Sequence, residues 1–278
     1  MTGKQVLITG GTAGIGKAAG LGLARLGAAV TVLGRNRDRC NAAARELTVA
    51  SGVTSADGIV CDVSSMASVR EAVEQYEARH TELSALILNA GAFLPRRELS
   101  VDGFEKTFAT RFLGHFLLVQ QLLPLLEATG KARILVTGAR PTGLRMDWDD
   151  VTLEKGYSVA KAQVQGTAAL LMFALGLAKR LEGKGVTVNF MHPGWVNTDL
   201  FTQMPWIVRT FMRLVGIPPE KGADTLIYLA SDPAVQDVTG AYFYKRRSRP
   251  FRGAIADPAN QSKAWEVGVR MTGLTTSA

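Results

Sequence analysis

Short apolar runs alternate with longer amphipathic stretches along most of the chain. Val6-Leu7-Ile8, Val30-Thr31-Val32-Leu33, Leu86-Ile87-Leu88, Ile134-Leu135-Val136 and Val186-Thr187-Val188 show almost no polar alternation. Ala56-Asp57-Gly58-Ile59-Val60, leading to Cys61-Asp62, is a weaker run of the same kind. Such runs predict strands buried on both faces. The stretches between them predict helices over 14–26, 37–50, 64–81, 101–126 and 157–181. A last helix–strand pair is expected over 220–243, followed by a tail, 244–278. Residues 195–218 break the alternation. There Met204, Trp206, Ile207, Phe211 and Met212 lie between Pro205 and Pro218 and predict a small helical flap.

Thr9-Gly10-Gly11-Thr12-Ala13-Gly14-Ile15-Gly16 follows the first strand and opens the first helix. Gly10 permits a tight turn, and Gly14 and Gly16 permit close approach of a pyrophosphate and of the sheet. The helix amides and dipole then face the phosphates. This placement predicts a dinucleotide site and, with the alternation, one α/β domain over 1–278. The expected fold is a Rossmann-type doubly wound parallel sheet of about seven strands with helices on both faces. Strand two ends at Leu33-Gly34-Arg35-Asn36-Arg37, with no acidic residue to hold both ribose hydroxyls. Arg35, beside Asn36, offers a guanidinium to a 2′-phosphate, and Lys17 adds charge beside the loop. This favours NADP(H) over NAD(H).

Composition changes the picture little. The net charge of +8 comes from 32 basic and 24 acidic side chains. It suits a phosphate-rich ligand. The basic residues are scattered except at Lys245-Arg246-Arg247 and Arg249, so no nucleic-acid partner is expected. Cys40 and Cys61 make no disulfide framework, and no His/Cys/Asp spacing argues for a metal. Asp147, Asp149 and Asp150 around Trp148 read as solvated or capping carboxylates. Lys4 precedes a short apolar run that enters the glycine loop, without the pattern of a cleaved leader. No run is read as long enough to span a membrane. A cytoplasmic protein acting on a small molecule is expected.

Thr9 to Gly16, Cys61-Asp62-Val63, Asn89-Ala90-Gly91 and Pro193-Gly194 with Thr198 together resemble the short-chain dehydrogenase/reductase superfamily. Gly114-His115-Phe116, Glu154 to Ser158, Trp265 and Thr272-Gly273-Leu274 resemble its retinol-dehydrogenase-like and WW-domain-oxidoreductase-like branch. The resemblance implies that Gly10, Thr12, Gly14, Ile15 and Gly16 surround the pyrophosphate. It implies adenine contacts from Asp62 and Val63, and a ribose neighbourhood at Asn89, Ala90 and Gly91. Pro193 and Gly194 would lie near the nicotinamide, and Thr198 would reach its carboxamide. A homodimer through the two long helices is a further implication.

The superfamily performs hydride chemistry with Asn, Ser, Tyr and Lys. Tyr is the acid or base at the carbonyl oxygen, Ser polarises that oxygen, and Lys lowers the Tyr pKa. Here Arg111 stands at the Asn position, and Gly138-Ala139 stand where Ser is expected. Two registers compete for Tyr and Lys. Tyr157 and Lys161 satisfy the four-residue spacing, but Tyr157 lies 36 residues before Pro193. Gln163 lies 30 before it, the interval usual in the family, and Thr167 then takes the Lys position. The second register leaves no titratable acid. The leading expectation is therefore a repurposed site in which Arg111 and Gln163 position a small organic substrate for cyclisation, rearrangement, elimination or isomerisation. The alternatives are an ordinary NADPH-dependent ketone or aldehyde reductase using Tyr157 and Lys161, and a non-catalytic cofactor-binding protein. His192, just before Pro193, is a weaker candidate, and His115 reads as packing.

Overall fold

Eight strands form one sheet in the order β3-β2-β1-β4-β5-β6-β7-β8. A computed structural model describes residues 1–52, 55–197 and 216–274. The strands are β1 (Gln5–Thr9), β2 (Ala29–Gly34), β3 (Asp57–Val60), β4 (Ala85–Leu88), β5 (Ala132–Thr137), β6 (Val186–Met191), β7 (Tyr242–Tyr244) and β8 (Arg247–Arg249). All neighbours run parallel except β8, which pairs antiparallel with β7 and adds one strand to the expected seven. The β7–β8 turn uses Lys245 and Arg246 at positive φ, and Arg246 pairs with Asp224. The strand order reverses between β1 and β4, which places a crevice at their carboxyl ends.

Successive strand residues enter opposite cores, because side chains alternate across a sheet. Leu7, Leu86, Ile134 and Val188 belong to one, and Val6, Ile8, Ile87 and Leu135 to the other. The second core is closed by α1 (Gly14–Arg25), α2 (Arg37–Ser51) and α7 (Pro219–Ser231). The first is closed by α3 (Met66–Glu77), α4 (Lys106–Phe108), α5 (Gly114–Thr129), α6 (Val159–Arg180) and α8 (Pro258–Thr272).

Several differences from the sequence reading bear on function. The helix expected from residue 101 begins at Lys106, because Glu105 caps it. Its carboxylate accepts from Thr107 N at 2.8 Å and Phe108 N at 2.7 Å. Between α4 and α5 the chain makes a π turn, Ala109–Leu113, with Arg111 at its centre. Lys106–Thr129 is long and apolar enough to cross a membrane, contrary to expectation. The fold uses it as core, burying Phe108, Phe112, Phe116 and Leu117 completely.

Helix α6 begins at Val159, with Ser158 capping it, so Tyr157 lies outside the helix expected to start there. The expected tail contains α8, which packs on α6. Trp265 lies 5.7 Å from the Phe116 ring and 5.6 Å from the Phe173 ring, with the Arg180 guanidinium 3.9 Å above it. Of the expected flap, residues 198–215 lie outside the described residues, among them Met204, Trp206, Ile207, Phe211 and Met212. Its two ends are pinned together by Asn197 N to Ile217 O at 3.0 Å and Ile217 N to Trp195 O at 2.8 Å.

Candidate active site

The glycine loop has the form needed for a dinucleotide. Gly10 has φ +65°, a left-handed conformation that glycine adopts without strain. A Cβ on Gly16 would meet Gly10 O at 2.4 Å and Asn89 Nδ2 at 2.6 Å. Ala13 gives α1 no side-chain cap, whereas Asn36, Ser65 and Ser158 cap α2, α3 and α6. The first-turn amides of α1 thus remain available to phosphate oxygens. Beside them Thr12, Ala13, Gly14, Lys17, Arg39 and Glu46 border a cleft of about 360 Å³. These features fit a pyridine dinucleotide pyrophosphate.

The expected cofactor residues divide by what they already hold. Arg35 is exposed at the end of β2, and Arg39, which sequence reading passed over, borders the same cleft. Lys17 is not a free cation: its ammonium lies 2.6 Å from Glu46 Oε2. Asn36 caps α2, accepting from Arg39 N at 2.9 Å. Asp62 accepts from Ser64 N at 2.9 Å and from Ser64 Oγ at 2.7 Å. Val63 is buried under Gly114. Asn89 donates to Thr9 O at 3.2 Å and Gly10 O at 3.3 Å, so its amide braces the glycine loop. Ala90 and Gly91 continue from β4 beside it. Pro193 and Gly194 follow β6, and Thr198 lies outside the described residues.

The residues expected at the substrate end gather around the π turn. A Cβ on Gly91 would lie 3.0 Å from Arg111 Nη2, and a Cβ on Gly166 would lie 3.0 Å from Arg111 Cβ. Two glycines therefore form the slot in which this side chain lies. Arg111 is 9% exposed, and its Nε is sealed without a partner. Among the described residues the guanidinium makes no hydrogen bond or ion pair. Burial alone pulls its pKa down to about 10, which leaves it cationic at neutral pH.

Gln163, Gly166 and Thr167 share one face of α6 at helical spacing. Gln163 Nε2 donates to Ala92 O at 2.6 Å, one residue beyond Gly91. The Thr167 hydroxyl is buried without a partner among the described residues, and its methyl group would lie 3.4 Å from a Cβ on Gly138. Arg111, Gln163, Thr167 and Gly138 are thus brought to the carboxyl ends of β4 and β5.

Tyr157 and Lys161 are not joined in this way. The Tyr157 hydroxyl donates to Leu94 O at 2.6 Å. Burial and then Glu105 push its pKa up. Lys161 is exposed and donates to Gly156 O at 3.4 Å. His192 Nδ1 lies 3.1 Å from Gly138 O, and its ring stacks on Tyr244 at 5.6 Å. Asp150 accepts from Glu154 N and Lys155 N, a capping use of the aspartate cluster.

His115 does more than fill space. Thr9 Oγ1 accepts from Asn89 N at 2.8 Å and Ala90 N at 3.0 Å, which directs its proton to His115 Nε2 at 2.8 Å. The Nδ1 hydrogen is then assigned, on the far side, to the Arg111 carbonyl at 2.9 Å. The ring ties the π turn to β1 and β4. Its spacing of four from Arg111 was a signal for this bond, masked by the apolar residues around it.

Fold and site define a dinucleotide-binding α/β protein. Residues 4–205 match the family model described as short chain dehydrogenase. The mouse (Mus musculus) polyprenol dehydrogenase is 35% identical over 98% of this chain and 84% of that protein. Human (Homo sapiens) retinol dehydrogenase 14 is 36% identical over 99% of this chain and 88% of that protein. The Pseudomonas aeruginosa RhlG/NADP active-site complex superposes with a TM-score of 0.71 at 27% identity, over 87% of this chain and 94% of that one. The chain belongs to the short-chain dehydrogenase/reductase family, in its retinol-dehydrogenase-like branch. That is a family of NAD(P)(H)-binding oxidoreductases.

Proposed function

We propose that the protein binds NADP(H) and uses Arg111 and Gln163 to position a small organic substrate, without Tyr–Lys acid–base catalysis. When bound, the dinucleotide supplies a hydride donor or acceptor, or serves as one wall of the pocket. The glycine loop and the α1 amides hold its pyrophosphate. Arg35 and Arg39 favour a 2′-phosphate at the exposed end of the cleft.

One observation carries the reading. The α6 face turned toward Arg111 presents Gln163, Gly166 and Thr167, none of which titrates near neutral pH. Tyr157 precedes the helix with its hydroxyl on Leu94 O, and the exposed Lys161 ammonium is bonded to Gly156 O. Gln163 orients a carbonyl or hydroxyl through its amide, while Arg111 supplies fixed positive charge where negative charge develops. Such a site favours cyclisation, rearrangement, elimination or isomerisation over reduction of a ketone.

Two measurements test this. In calorimetric titration, Arg35→Ala is expected to weaken NADPH by about tenfold or more and NADH little, because it removes a phosphate partner. Tighter NADH than NADPH binding by the wild type defeats the cofactor assignment. The relatives' names point to retinal and polyprenal as carbonyl probes. Slow or absent NADPH oxidation with both is expected. Rapid turnover that Tyr157→Phe abolishes, with fold and cofactor binding kept, restores the ordinary reductase.

A further inference from the structure

We propose that Arg111 anchors the carboxylate of an anionic small-molecule substrate. This deepens the positioning role assigned to Arg111 above and rests on it. Arg111 is nine-tenths buried, its Nε is sealed, and its guanidinium has no partner among the described residues; such a charge is costly, because it loses hydration without a compensating interaction. No carboxylate among the described residues offsets it. Glu105 is committed to the Thr107 and Phe108 amides. The fold nevertheless provides for this side chain specifically. Gly91 and Gly166 leave room for it, and the π turn with His115 holds its backbone. A residue so accommodated, and so unpaired among the described residues, is matched to a charge that arrives with a ligand.

The location says which ligand. The Nη groups lie against Gly91 at the carboxyl end of β4, beside Gln163 bonded at Ala92. The glycine loop and the uncapped α1 amides serve phosphate elsewhere in the cleft. One planar guanidinium neutralises a single charge and matches the two oxygens of a carboxylate. A phosphate dianion would need a second cation there.

The test uses purified protein saturated with NADPH, in buffer free of phosphate. Benzoate and hexanoate are compared with benzamide and hexanamide, and with inorganic phosphate, by thermal shift and calorimetry. Wild type, Arg111→Met and Arg111→Lys are examined, with circular dichroism confirming the fold. The carboxylates are expected to bind at least about tenfold more tightly than their amides. Arg111→Met is expected to erase that preference, and Arg111→Lys to retain part of it. NADPH affinity is expected to change less than about threefold, since the phosphates are held elsewhere. Equal binding of acid and amide, or carboxylate preference surviving in Arg111→Met, overturns the proposal. So does a loss of NADPH affinity on that substitution, which would make the cofactor the source of the anion. Preference for phosphate over both acids overturns it as well. If Tyr157→Phe abolishes a reductase activity while the Arg111-dependent carboxylate preference persists, the non-reductase reading above fails and the anchor stands.

Discussion

Replacing Arg111 by methionine is expected to stabilise the ligand-free protein. Burial lowers the Arg111 pKa from its ordinary value to about 10. At about 1.4 kcal/mol per factor of ten, the charged form is disfavoured by about 3 kcal/mol relative to water. Both folded and unfolded chains are protonated at pH 7, so the whole cost is present there. It is relieved only as pH rises above about 10, where the unfolded chain holds the extra proton. Methionine keeps an unbranched apolar stem between Gly91 and Gly166 and removes the charge. Part of the gain is lost to imperfect filling, which leaves about 1–3 kcal/mol of net stabilisation. For a chain of this size each kcal/mol moves the melting temperature by roughly 2–4 °C. The assay is thermal denaturation followed by circular dichroism in bis-tris propane chloride, without cofactor or carboxylate. A melting temperature lowered by Arg111→Met would refute the reasoning, because it would mean that the guanidinium has stabilising partners within the fold. A rise, with carboxylate binding lost, describes a residue retained for ligand binding at the expense of stability.

The His115 bridge makes acid destabilising. Burial first, and the Arg111 charge after it, hold the His115 pKa down to about 4, against 6.5 in the unfolded chain. Between those values the unfolded chain binds more protons, so stability falls with pH, by about 3 kcal/mol in all. Urea midpoints at pH 7, 5.5 and 4.5 should converge between wild type and His115→Gln as pH falls, and a constant difference would show that His115 is not buried neutral. Trp265→Ala is expected to cost about 2–4 kcal/mol by removing the ring wedged between Phe116, Phe173 and Arg180. Thermal melts check this, and a change under about 0.5 kcal/mol would place α8 among unpacked surface elements.

The strands were legible because each is a short run of apolar residues with little alternation, a pattern that serves only a strand buried on both faces. The glycine loop was legible because its function is local: the turn at Gly10 and the close approach at Gly16 depend on residues adjacent in the chain. The α8 packing was not, since its apolar positions are widely spaced and their partners, Phe116 and Phe173, lie far back in sequence. The start of α6 was missed by two residues because Ser158 is as good a cap as any serine, and only the backbone shows which serine serves.

The sequence by itself determined the doubly wound sheet and the dinucleotide loop. These follow from residue type and spacing along one chain. Which carbonyls Tyr157 and Gln163 meet was decided only by the tertiary structure, because the answer depends on where a helix begins and what its neighbour offers. Leu94 takes the tyrosine hydroxyl and Ala92 takes the glutamine amide. That Arg111 meets no partner among the described residues is likewise a property of the fold alone. Charge is written in the residue, but the absence of a partner depends on every segment that packs around it. Here Gly91 and Gly166 come from opposite halves of the site to make room for a cation that no described side chain neutralises.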